Sequence, residues 1–309
     1  MLVVDPLHPA ALAELRDRFD LQVAFAPGES RLRALIADAD VLVMRSGIDL
    51  NAAVIAEATR LKVVARAGVG IDNIDFDAAR AAGVKVFNVP DRSSNAVAEF
   101  VFGLALAIAR KIALADSQVR SDVWRKAELA GLELRGSTIG LVGLGKIGSR
   151  VAQLANAFGL RVLATVGDPS PGRAEQLAAA GVELVELSQL LSAADLCCLA
   201  LPLNERTAGM IGANELELMR REAFLVNVSR AELVDTGALL GALRDRRIDG
   251  AAIDVLHKAD CRLFSELDNV VLTPHIGAMT DAAQASIGRE VVRRIAIGLD
   301  GKEIPDRLC

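Results

Sequence analysis

Short apolar runs alternate along this chain with longer segments whose apolar residues recur every three or four positions. Val41-Leu-Val-Met44, Val63-Val-Ala65, Leu196-Cys-Cys-Leu-Ala-Leu201, Phe224-Leu-Val226 and Ala251-Ala-Ile253 are such runs. Uninterrupted runs of this length suit strands buried on both faces of a parallel sheet, and the longer spacing suits amphipathic helices. The pattern predicts strands at 2–5, 21–25, 41–44, 63–66 and 85–88, with helices at 9–18, 30–37, 52–58 and 75–82 between them. One long helix is expected over 95–116, then an irregular stretch to 135. Strands at 138–142, 161–166, 183–185, 196–201, 223–228, 251–255 and 270–272 follow, with helices at 173–180, 188–193 and 236–246 among them. A last helix over 281–299 has no strand after it and is expected to pack back on the first domain. Alternating strands and helices imply an α/β protein. A fresh series beginning at 138 implies a domain boundary near 95–105.

The second series opens with the most informative segment. Strand 138–142 runs into Gly143, Gly145 and Gly148, and Val151, Leu154, Ala155 and Phe158 then take up helical spacing. Three glycines between a strand and a helix have a physical use. Gly143 permits the tight turn, Gly145 lets a pyrophosphate approach the backbone, and Gly148 lets helix and strand pack closely. The expected ligand is a dinucleotide.

Composition narrows the picture. The 309 residues suffice for about two domains. Hydrophobic residues reach 52%, but the longest apolar run, 100–109, is too short to span a bilayer. A net charge of −5 without a basic cluster argues against nucleic acid. Cys197, Cys198, Cys261 and Cys309 lack metal-ligand spacing, and no signal peptide precedes the first strand, so a reducing cytoplasm is expected.

Few residues offer chemistry. His275, in Thr273-Pro-His-Ile-Gly277, follows an apolar strand; it either exchanges a proton with a substrate hydroxyl or ties down a loop. His8 reads as a surface or helix-start residue, and His257 is ambiguous. Arg230 follows strand 223–228 and either clamps a carboxylate or forms a surface ion pair. Asp254 either accepts from a nicotinamide amide or caps a turn. Arg45-Ser-Gly47 and Gly68-Val-Gly70 follow strands of the first domain and offer backbone N–H groups to an anion, or simply turn the chain.

Taken in order, these motifs resemble the D-isomer-specific 2-hydroxyacid dehydrogenases, over nearly the full length. RSG at Arg45, RAGVGIDNID from Arg66, VAEFVFGLALAIAR from Val97 and WRK at Trp124 carry the resemblance. ELRGSTIGLVGLGKIG from Glu133, NVSRAELVD from Asn227, AAIDV from Ala251 and TPHIGA from Thr273 complete it. Within the family the chain looks most like D-3-phosphoglycerate dehydrogenases, without the C-terminal regulatory domain that many of them carry. The resemblance implies two doubly wound parallel-sheet domains, with a Rossmann dinucleotide-binding domain (98–278) inserted into a flavodoxin-like substrate domain (1–97 and 279–309). It implies NAD as cofactor, with NADP possible, and a small D-2-hydroxy acid or 2-keto acid of the 3-phosphoglycerate, hydroxypyruvate or glyoxylate type. His275 would be the acid/base, and Arg230 would hold the substrate carboxylate and polarise its keto oxygen. Arg45, Ser46, Val69 and Gly70 would contact substrate. Gly143, Gly145, Lys146, Ile147, Asp168, Pro202, Thr207, Val228, Ser229, Asp254 and Gly277 would contact the cofactor. A homodimer or homotetramer is implied, with the segment around Trp124 at the dimer contact, and no metal, membrane or nucleic-acid partner.

The chain departs from the family where chemistry is most sensitive. The family glutamate that pairs with the catalytic histidine lies five residues after the Asp254 position, which here is Ala259. Asp260, or else His257, is the candidate substitute. A catalytically impaired, dinucleotide-sensing protein is the alternative this raises, although such a sensor would need neither Arg230 nor His275. The ribose-binding aspartate expected at the end of strand 161–166 is missing; either the loop brings Asp168 to the ribose hydroxyls or the pocket is neutral and accepts NADP as well, and Arg173 stands five residues beyond Asp168. Asp49 occupies a position where phosphoglycerate dehydrogenases often place a lysine, leaving Arg45, Arg92 and Arg125 as cations for a phosphate.

Overall fold

In the computed structural model, which describes residues 1–167, 171–305 and 307–309, the chain divides into two compact units. Met1–Ser93 and Met279–Cys309 form one, and Ser94–Ala278 the other. The first contains β1 (Leu2–Val3), α1 (Pro9–Arg18), β2 (Gln22–Val23), α2 (Glu29–Ile36), β3 (Val41–Met44), α3 (Ala52–Glu57), β4 (Val63–Arg66), α4 (Phe76–Ala81) and β5 (Lys85–Asn88). The second begins with α5 (Ser94–Ala109) and α6 (Ile112–Arg120), and then alternates. Its strands are β6 (Thr138–Val142), β7 (Arg161–Thr165), β8 (Val182–Leu184), β9 (Leu196–Leu199), β10 (Phe224–Asn227), β11 (Gly250–Ile253) and β12 (Val270–Leu272). Its other helices are α7 (Lys146–Phe158), α8 (Pro171–Ala179), α9 (Leu187–Ala193), α10 (Ala213–Leu218), α11 (Thr236–Arg244) and α12 (Cys261–Phe264). The final helix, α13 (Asp281–Leu299), belongs to the first unit.

The first sheet has the order β2-β1-β3-β4-β5 with every pairing parallel. Its residues alternate between two apolar layers, as the two-residue period of a strand dictates. Leu42, Met44 and Val64 pack with Leu32, Ile36, Val54 and Ala79 from α2, α3 and α4. Val41, Val43, Val63 and Ala65 pack with Leu15 of α1 and Ile287, Val291 and Ile295 of α13. Helices α1 and α13 approach closely at Gly288, where a Cβ would lie 2.6 Å from Ala11 Cβ.

The second sheet has the order β12-β11-β10-β9-β6-β7-β8, again parallel. The direction of winding reverses between β6 and β9, where open α/β sheets bind ligands. Helices α5 and α7 cover one face, and α9, α10 and α11 the other. Cys197 and Cys198 are fully buried in β9, and desolvation pushes the Cys197 thiol up to about 12.

One expected element is two. The helix read over 95–116 breaks after Ala109, because Lys111 adopts a left-handed conformation with φ +53°. The Ala109 carbonyl accepts the Leu132 N–H at 2.8 Å, so its bond goes to an incoming strand of chain instead of the next helical turn. Among the described residues no helix is long and apolar enough to cross a membrane.

Candidate active site

The candidate chemistry of the second unit is collected by strand register. Val142, Leu199, Asn227, Ile253 and Leu272 are aligned across the carboxyl edge of β6, β9, β10, β11 and β12. Gly143 follows the first of these, Asp254 the fourth, and Arg230 and His275 come shortly after β10 and β12. Neighbouring strands lie ~4.8 Å apart, so the loops carrying Arg230 and His275 leave the sheet about 10 Å from one another, with Asp254 between them.

His275 is held through its main chain. Its N–H donates to the Asp254 carbonyl at 2.8 Å. The Asp254 carboxylate, 1% exposed, accepts from Thr273 Oγ1 at 2.7 Å, from the Ile276 N–H at 2.8 Å and from the Gly277 N–H at 3.0 Å. These bonds wrap the loop tightly enough to put His275 at φ +57°, a conformation costly for a residue with a Cβ. The residue itself is exposed while its backbone is fixed.

Arg230 is positioned by a similar device. Buried Asn227 donates from Nδ2 to the Arg230 carbonyl at 2.8 Å and accepts the Ser229 N–H at 3.0 Å. The Arg230 guanidinium donates to the Ser229 carbonyl at 2.7 Å, and Ser229 Oγ bonds the Leu201 carbonyl, joining the β10 loop to the β9 loop. Val228 is buried beside them. Beyond Leu201, Thr207 Oγ1 donates to the Pro202 carbonyl at 2.9 Å and accepts the Asn204 N–H at 2.8 Å, which closes that loop on itself.

The glycine turn has the shape the sequence requires. A Cβ on Gly143 (φ +96°) would lie 2.6 Å from the Ala200 carbonyl oxygen, and one on Gly148 would lie 2.4 Å from the Gly143 oxygen. A Cβ on Gly145 would meet nothing within 4 Å. The first two glycines are therefore demanded by the protein, while the third leaves open approach to the N-terminus of α7. No side chain caps that terminus; Gly145 is the N-cap, followed by exposed Lys146 and half-buried Ile147. This cradle of N–H groups, positive by the helix dipole, fits a dinucleotide pyrophosphate. Asp168 lies outside the described residues. Arg173, well beyond β7 in sequence, is carried back by α8, and its guanidinium donates to the Leu144 carbonyl at 3.0 Å within the glycine turn. Only the helix packing reveals it.

In the first unit Arg45 and Ser46 follow β3, and Val69 and Gly70 follow β4. Asn73, unremarked within its motif, joins the two loops, donating from Nδ2 to the Arg45 carbonyl at 2.8 Å and the Ile48 carbonyl at 2.7 Å. Asn88 Nδ2 donates to the Val69 carbonyl at 2.7 Å. Buried Asp5 accepts the Arg45 N–H at 2.5 Å, and Arg45 Nη1 and Nη2 lie 3.7 and 3.8 Å from Met279 Sδ. Burial lowers the pKa of the Arg45 guanidinium from its ordinary value, partly offset by Asp5.

Asp254 is bonded to the His275 loop through Thr273, Ile276 and Gly277. Asp260 sits at the start of the one-turn α12, its N–H bonded to the His257 carbonyl at 2.8 Å. His257 Nε2 lies 3.3 Å from Glu232 Oε1, two residues beyond Arg230.

Comparison with known proteins matches residues 102–277 to the family model described as D-isomer specific 2-hydroxyacid dehydrogenase, NAD binding domain. The chain belongs to this family. It is 40% identical over 309 residues to D-3-phosphoglycerate dehydrogenase of Mycobacterium tuberculosis, covering 99% of this chain and 58% of that protein. The chain thus spans little more than half the length of that relative. It is 38% identical to hydroxypyruvate reductase of Thermotoga maritima, covering 95% of this chain and 96% of that one. Among solved structures, the TT0316 protein of Thermus thermophilus superposes with a TM-score of 0.91 at 33% identity, covering 100% of this chain and 99% of that one.

Proposed function

We propose that the protein is an NAD-dependent oxidoreductase that interconverts a small D-2-hydroxy acid and the matching 2-keto acid. What supports this reading is that the loops carrying Arg230 and His275 leave the same sheet edge as the glycine turn. When bound, NAD(H) supplies or receives the hydride at the substrate C2. The N–H groups at Gly145, Lys146 and Ile147 would hold its pyrophosphate, with Arg173 adding a cation beside the turn.

Arg230 binds the substrate carboxylate and polarises the keto oxygen, and His275 donates the proton that oxygen needs on reduction and removes it on oxidation. Arg45, Ser46 and the backbone of Val69 and Gly70 contribute substrate contacts in this reading. Asp254 fixes the His275 loop and Asn227 fixes Arg230, so both reactive groups are preorganised. A sensor without catalysis would need neither of these costly arrangements. The strained φ of His275 in particular is explained by the placement of its imidazole.

The same reading includes a homodimer. Helix α6 buries none of its residues, and Ile112, Val119 and Trp124 are all exposed, Trp124 by 84%. Exposed large apolar side chains in this segment suit contact with a second copy. The function is tested by following NADH oxidation with hydroxypyruvate, glyoxylate and 3-phosphohydroxypyruvate, alongside direct NADH binding. Turnover that depends on Arg230 and His275 supports the reading. Saturable NADH binding with no turnover of any keto acid rejects it in favour of the sensor.

A further inference from the structure

Three cations were available from the sequence to receive a substrate phosphate, and each has a neighbouring group in the structure. Arg92 Nη2 lies 3.5 Å from Glu290 Oε2, and Arg125 Nη1 lies 3.7 Å from Glu128 Oε2. Arg45 is the decisive one, because it stands in the loop assigned to substrate. Both of its terminal nitrogens face the thioether of Met279. That is the edge with which a guanidinium grips a phosphate by two parallel bonds. A thioether is only a weak acceptor, so it shields the edge without satisfying a dianion's place.

The charge balance points the same way. Asp5, buried and bonded to the Arg45 N–H, places a negative charge near the guanidinium. Asp49, four residues along the same loop, is exposed and adds a further negative charge. A phosphate dianion brought to this loop would meet one capped cation and two carboxylates.

Resting on the oxidoreductase reading above, we propose that Met279 is a specificity-determining residue: it caps Arg45 and confines the substrate to unphosphorylated 2-keto and D-2-hydroxy acids. The cap is removable. Met279 is 54% exposed, so its replacement by serine should leave the fold intact.

The test compares kcat/KM for hydroxypyruvate, glyoxylate and 3-phosphohydroxypyruvate in the wild-type protein and Met279→Ser, with thermal unfolding of both. The wild type is expected to favour an unphosphorylated acid by at least about tenfold, the factor that 1.4 kcal/mol of lost phosphate binding produces. Met279→Ser is expected to raise the relative kcat/KM for the phosphorylated acid at unchanged Tm. A wild-type preference for 3-phosphohydroxypyruvate, or an unchanged ratio in the variant, overturns the inference while leaving the oxidoreductase reading in place. Absence of turnover with all three acids overturns that reading, and this inference with it.

Discussion

The buried carboxylate of Asp254 and the backbone of His275 form one unit: the aspartate carbonyl accepts the histidine N–H, and the carboxylate oxygens accept from Thr273, Ile276 and Gly277. Asp254→Asn retains the shape but turns an amide toward the Gly277 N–H, leaving donors unsatisfied at a cost of about 1–3 kcal/mol. We expect a lower Tm and a kcat reduced roughly 100-fold, the scale of a 1 Å misplacement at a reacting centre. NADH affinity should change far less. Loss of NADH affinity at unchanged Tm would instead make the carboxylate a cofactor ligand.

His275 offers a clean separation of chemistry from conformation. Asparagine tolerates a φ of +57° better than most residues, so His275→Asn should preserve Tm and NADH binding. Its kcat should fall by about 10²–10⁴, the usual contribution of a general acid or base. His275→Ala should lose the same activity at a similar Tm, because histidine and alanine both carry the Cβ that makes the left-handed backbone costly. Retained activity in both variants would remove the imidazole from the mechanism.

The glycines of the turn should divide by phenotype. Gly148→Ala places a Cβ 2.4 Å from the Gly143 oxygen and should lower Tm before cofactor is considered. Gly145→Val projects into open space and should leave Tm within about 0.5 kcal/mol of stability, as for other unburied substitutions, while weakening NADH binding. Calorimetric unfolding and NADH titration of the two variants check the division. A Gly145→Val protein that binds NADH normally would contradict the pyrophosphate cradle.

Glu290 is a stability element of the first unit. It is buried on α13 and paired with Arg293 and Arg294, each at 2.6 Å. Hydrogen bonds from Arg293, then Arg294, outweigh its burial and hold its pKa at about 2, below the ordinary 4.5. A depressed carboxylate stabilises the fold above its unfolded pKa, and that stability is lost as pH falls through the folded value. Wild-type stability should therefore decline between about pH 4.5 and pH 2. Glu290→Gln should be less stable at neutral pH, by about 1.5–3 kcal/mol, because Arg293 and Arg294 lose a charged hydrogen-bond acceptor. Its stability should also decline less over that acid range. Denaturant unfolding across pH provides the measurement.

Much of this protein was legible in its residues. Parallel strands are buried on both faces, so they announce themselves as unbroken apolar runs, and Gly143 and Gly148 mark a turn that tolerates no Cβ. Sequence thus determined the α/β class, the glycine turn and the candidacy of Arg230 and His275. The tertiary structure alone decided which groups meet. The Asp254 carboxylate reaches Ile276 of the His275 loop across 22 positions of chain, and Arg173 returns to Leu144 across 29. Met279 meets Arg45 across 234. The break at Lys111 was likewise hidden, since the Ala109 carbonyl is claimed by Leu132, far beyond the helix. Local periodicity encodes which face of an element is buried; it carries no record of the distant backbone or side chain that packing brings against it.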